Sequence, residues 1–118
     1  MMLLTSAHSA KLLDNGRRQA AVVGTEAEHD FFPVVKLFTP DGAATWLLTE
    51  IDPADHDIAF GLCDLGMGCP EIGSVRLSEL KALRGRLGLP VERDRHFKAD
   101  KPLSAYAAEA RSHGAIVA

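Results

Sequence analysis

The sequence predicts an α+β domain. The expected architecture is a three- to four-stranded antiparallel meander, with an N-terminal helix before it and two short C-terminal helices packed on one of its faces. Three observations predict it. Residues 34–77 hold several short runs of β-branched and aromatic side chains separated by tight-turn residues. Both ends of the chain carry apolar residues at helical spacing, bounded by capping residues. The length, 118 residues, is that of a single domain over 1–118, able to bury about two-thirds of its unfolded surface.

Residues 1–30 read as a helical N-terminal segment. Thr5 or Ser6 caps a helix over 5–14 that places Leu4, Ala10 and Leu13 near one face, and Asn15-Gly16 supplies a left-handed stop. Arg17 to Val22 resumes as a second short helical piece, and Gly24 to Asp30 is a polar loop. The meander occupies 31–77. Val34–Thr39 is its first strand and Pro40-Asp41-Gly42 its first turn. Ala44–Ile51 returns, with Trp46, Leu48 and Glu50 on one side and Leu47, Thr49 and Ile51 on the other. Residues 52–57 turn again, and Ile58–Leu65 is the third strand. Two glycines and a proline make 66–70 a shaped loop, and Ile72–Leu77 is a fourth strand.

The last part, 78–118, reads as two helices with an extended connection. Ser78 caps a helix whose Leu80, Leu83 and Leu87 share a face; Gly88 and Pro90 end it. Residues 91–97 alternate as an edge strand or an ordered loop. Pro102 opens the final helix, with Leu103, Tyr106, Ala107 and Ala110 as its buried stripe and Gly114 as its end.

Charge is unevenly distributed along the chain. Its net value is −3, but residues 31–77 carry −5 and residues 78–118 carry +3. The simplest expectation is that the two regions neutralise each other across the fold; the sharper one is that a patch faces a charged partner. Two cysteines, Cys63 and Cys69, suit a reducing compartment. No signal-peptide pattern and no transmembrane-length apolar run is present, so the expected location is the cytoplasm, with no membrane role.

Several runs form a recognisable set. They are Pro33-Val34-Val35-Lys36-Leu37-Phe38-Thr39-Pro40, Ala44-Thr45-Trp46-Leu47-Leu48-Thr49-Glu50, Ala59-Phe60-Gly61-Leu62-Cys63-Asp64-Leu65-Gly66, Leu77-Ser78-Glu79-Leu80 and Lys101-Pro102-Leu103-Ser104-Ala105-Tyr106. Together they resemble a family of small bacterial proteins of unknown function, encoded on conjugative plasmids and integrated mobile elements. The resemblance covers residues 33–113. It implies a mobile-DNA context and brings no activity or catalytic residue with it.

Chemistry-bearing residues give three readings. The favoured one is a non-catalytic protein-interaction module, binding another protein through Trp46 and Glu50 or through the acidic turn with Asp52, Asp55 and Asp57. The alternative is a metal-dependent hydrolase or nuclease in which Asp64 and Glu71 bracket the glycine loop and hold Mg²⁺ or Mn²⁺, with His56 or His96 assisting. The meander sets Glu50 and Asp64 at opposite ends of their strands, which argues against that pair acting together. The third reading is nucleic-acid binding through Lys81, Arg84, Arg93 and Arg95. No cofactor is implied, because the glycines lack a phosphate-binding spacing and the cysteines lack a zinc spacing.

Overall fold

The structure, a computed structural model, describes residues 3–118. Its elements are α1 (Ser6–Ala20), β1 (Val35–Phe38), β2 (Thr45–Asp52), β3 (Asp55–Asp64), β4 (Glu71–Arg76), α2 (Leu77–Ala82), β5 (Glu92–Arg93) and α3 (Leu103–His113). The strands form one antiparallel sheet in the order β4-β3-β2-β1-β5. This is the predicted α+β meander with its flanking helices. The extended connection adds a fifth strand, short β5, on the free edge of β1.

Asp52 pairs directly with Asp55. The expected turn over 52–57 therefore shrinks to Pro53-Ala54, and Asp55 and Asp57 belong to β3. Between Leu48 and Glu50 the register shifts, so Thr49 is an extra residue in β2. Leu48 pairs with Gly61 and Glu50 with Phe60, so the bulge turns Glu50 to the face opposite Trp46 and Leu48. Ile51 joins the Trp46 face instead. This corrects the simple alternation expected along β2.

Helix α1 runs straight through Asn15-Gly16, which is not a stop. β1 reaches only as far as Leu48 along β2, where the Val34 N–H donates to the Leu48 carbonyl at 2.8 Å. Beyond that point β2 has an unpaired edge, and α1 covers it. The buried Asn15 amide donates to the Thr49 carbonyl at 2.9 Å, in place of a neighbouring strand's N–H. The next residue, Gly16, lets the helix touch the strand backbone, because a Cβ there would lie 1.8 Å from the Ile51 oxygen. The buried stripe of α1 is thus Leu12, Asn15 and Gly16, rather than Ala10 and Leu13. Thr5 caps the helix, its hydroxyl accepting from the His8 N–H while His8 Nδ1 accepts from the Thr5 N–H.

The core has two parts, one on each sheet face. Leu12 of α1 and Leu77 and Leu80 of α2 pack with Val35, Leu37, Trp46, Leu48, Ile51 and Ala59. Leu103, Tyr106, Ala107 and Ala110 of α3 pack with Leu47 and Leu62. The two C-terminal helices therefore lie on opposite faces, because adjacent β2 residues point to opposite sides. The predicted stripe of α3 is buried as expected and Gly114 ends the helix in the left-handed region at φ 75°. Of the predicted α2 stripe Leu80, Leu83 and Leu87, only Leu80 is buried. The helix ends at Ala82, and Leu83 and Leu87 lie beyond it and are exposed.

Candidate binding site

Three predicted site residues are committed to the fold. Trp46 is 2% exposed and sits in the core beneath α1, so it is not on an open recognition face. Asp57 accepts from the backbone N–H and hydroxyl of Ser78 at 2.8 and 2.6 Å, and so holds the start of α2. Those bonds from Ser78 keep the Asp57 carboxyl below its usual pKa. Asp64 is buried and accepts from the N–H of Gly66 at 2.8 Å and of Ile116 at 2.9 Å, tying the glycine loop and the C-terminal segment to β3.

The remaining predicted residues fall in separate places. Asp55 lies near Arg76 on the surface at 3.5 Å. Glu71, which pairs with Cys63 in the ladder, is exposed. His56 is exposed on β3 and lies on the rim of a different groove, described below. Among the described residues, no group of three or more His, Cys, Asp or Glu gathers in a metal-binding arrangement. Cys63 is half-buried, which raises its thiol pKa, and Cys69 is exposed. No helix among the described residues is long and apolar enough to cross a membrane.

The basic residues separate into two groups. Lys81 and Arg84, with His56, rim a groove of about 760 Å³ floored by Leu3, Leu4, Ile51, Leu77 and Val91. Arg84 donates to the Lys81 and Leu83 carbonyls, closing the end of α2. Arg93 and Arg95 lie across β5 beside Thr5, His8 and Phe97, and Arg93 donates to the Leu3 carbonyl at 3.0 Å.

Glu50 and Asp52 do come together. They line a cleft of about 420 Å³ between the C-terminal end of α1 and the tip of the β2–β3 hairpin. The bulge at Thr49 creates it by turning Glu50 toward Phe60. Ile58, Phe60, Pro53, Ala20 and Val23 supply apolar surface, and Glu28 reaches in from the loop after α1. That loop is held by the Gln19 amide, which donates to the His29 carbonyl at 2.9 Å and accepts from the His29 N–H at 2.8 Å. Burial raises the Glu50 pKa, and the nearby Glu28 charge raises it further. Among the described residues, none of these three carboxylates forms an ion pair. Glu28, Ile58 and Phe60 escape sequence reasoning, because their proximity depends on the bulge and on α1 running past Gly16.

The structure defines a small α+β domain: a five-stranded meander braced by a helix along its incomplete edge, with an acidic, apolar-walled cleft at one end. The chain belongs to a family described as "Protein of unknown function (DUF2958)", whose model matches residues 3–117. No curated protein and no solved structure matches it.

Proposed function

We propose that this chain is a non-catalytic protein-interaction module that holds a basic, apolar-tipped segment of another protein in the cleft at the hairpin end. The observation behind the reading is the carboxylate set Glu28, Glu50 and Asp52 around an apolar wall, with no ion-pair partner for any of them among the described residues. A partly desolvated carboxylate without a partner is unfavourable in the free protein. A Lys or Arg entering the cleft supplies the missing charge, and an apolar side chain beside it covers Phe60 and Ile58. The sequence resemblance to proteins of plasmids and integrated elements supports an accessory role for the module in a bacterial mobile element, acting in the cytoplasm.

Fluorescence anisotropy with two labelled peptides of equal length tests this. One alternates Leu with Arg, the other Leu with Glu. The basic peptide should bind and the acidic one should not, and Glu50→Lys should abolish binding while circular dichroism stays unchanged. Equal affinity for the two peptides, or binding indifferent to Glu50→Lys, overturns the proposal.

A further inference from the structure

The end of the sheet opposite the cleft carries the complementary shape. Residues 84–90 form a closed turn: Arg84 bridges to Pro90, the Gly85 N–H donates to the Leu89 carbonyl at 2.9 Å, and the Gly88 N–H donates to the Gly85 carbonyl at 3.0 Å. Asp41, in the β1–β2 turn, locks it from below by accepting from the N–H of Leu87 at 2.7 Å and of Leu89 at 3.3 Å. Gly85 leaves room for Asp41, since a Cβ there would lie 1.7 Å from the Asp41 carboxylate oxygen and would push that carboxylate off the turn. The turn is therefore rigid, yet what it displays faces solvent: Leu87 is 79% exposed, and Arg86 is exposed beside it. Among the described residues Arg86 makes no ion pair. A large apolar side chain on a pre-organised turn next to an unpaired cation has the form of a docking knob, because little ordering entropy is lost when it is covered.

Knob and cleft cannot meet within one molecule. β2 has eight residues and separates the two ends of the sheet, which at about 3.3 Å per residue is roughly 23 Å. We propose that the occupant of the acidic cleft is the Arg86-Leu87 turn of a second copy of this chain, joined head to tail. The inference rests on the cleft reading above and names its partner. Arg86 meets Glu28, Glu50 and Asp52, and Leu87 covers Phe60 and Ile58. The contact is heterologous, so each copy keeps one free knob and one free cleft, and association continues until a ring closes or a filament grows.

Sedimentation velocity of the full chain, from micromolar to millimolar concentration and at low and high salt, tests it. Mass should rise with concentration and fall with salt. Glu50→Arg and Arg86→Glu should each weaken association by at least about tenfold, and an equimolar mixture of the two variants should restore it, since each cleft then meets a turn of opposite sign. Leu87→Ser, at an exposed position, should weaken it without altering the fold. A wild-type chain that stays monomeric throughout, or variants that associate singly as well as mixed, overturns the inference. Monomeric behaviour together with capture of the basic peptide would reject the second copy as occupant and leave the cleft reading standing. Failure of both experiments would reject both.

Discussion

The two ends of the central strand use acidic residues in opposite ways. At the β1–β2 turn end, Asp41 and Asp64 face inward and accept from backbone N–H groups of the C-terminal third, at Leu87, Leu89 and Ile116. Asp57 and Asp30 do the same elsewhere, each accepting from the backbone and hydroxyl of a serine, Ser78 and Ser104. At the hairpin end, Glu50, Asp52 and Glu28 converge with no ion-pair partner among the described residues. Short aspartates thus fasten distant segments to the sheet, whereas in the cleft Asp52 accepts only from its near neighbour, the Ala54 N–H, at 2.8 Å, and Glu50 and Glu28 remain available. The difference shows why charge along the chain predicts so little: the acidic middle holds the C-terminal third through backbone hydrogen bonds to Asp41 and Asp64.

The largest expected effect tests whether the hairpin end stands only because α1 lies against it. Gly16→Ala raises helix propensity by about 1 kcal/mol, yet its Cβ meets the Ile51 oxygen at 1.8 Å. The helix must move off the strand edge and withdraw Asn15 from Thr49. The net result should be a loss of about 2–3 kcal/mol, read as a denaturation midpoint roughly 10 °C lower. A midpoint that rises would mean that α1 does not brace β2. Next comes Asp64→Ala, which leaves two N–H groups without an acceptor and should cost about 2–3 kcal/mol. Asp64→Asn keeps one acceptor and should lose roughly half as much. Glu28→Gln, at the exposed mouth of the cleft, should change stability by less than about 0.5 kcal/mol. Equal costs at Asp64 and Glu28 would erase the contrast between the two ends.

The strands of the meander were legible because β-branched runs and turn residues are local signals, and residues 33–52 carry both in order. α3 was legible for the same reason, with proline before it, a regular stripe and glycine after it. Asn15-Gly16 misled, because its stop chemistry is also what a helix needs to lie against bare strand backbone. The two uses differ only in what stands opposite, which the local sequence does not contain. The Thr49 bulge was equally silent, and with it the direction of Glu50. So Glu50 and Asp52 could be named as binding residues while their neighbours Phe60, Ile58 and Glu28 could not. The spacing of Leu87 fits a buried helical face, but the early end of α2 and the hold of Asp41 put it in solvent instead.

A smaller effect follows from the α1 cap, far from both ends of β2. His8 Nδ1 accepts from the Thr5 N–H, so the cap needs a neutral ring. Burial and the nearby Arg93 charge lower the His8 pKa. The unfolded chain therefore binds this proton more readily than the folded one, and stability should fall as pH drops below about 6.5. Thr5→Ala removes the hydroxyl acceptor of the His8 N–H and should cost about 1 kcal/mol, but it keeps the Thr5 N–H and should leave the pH dependence in place, whereas His8→Gln should remove it. A slope unchanged in His8→Gln would place the titration elsewhere.

The smallest effect has the opposite sign and bears most directly on the cleft. The Glu50 pKa is raised, so the folded state holds this proton more tightly than the unfolded state does. The cost of its charge is absent below the ordinary glutamate pKa, about 4.3, and grows as pH rises through the folded-state value. Glu50→Gln removes that cost and should stabilise the protein at neutral pH by less than about 1 kcal/mol, solvent screening at a half-buried site keeping it small. The gain should vanish in acid. The same substitution should weaken basic-peptide binding. A residue that lowers stability while raising affinity is one held for a partner, whereas loss of stability in Glu50→Gln would make Glu50 another fastening group like Asp64.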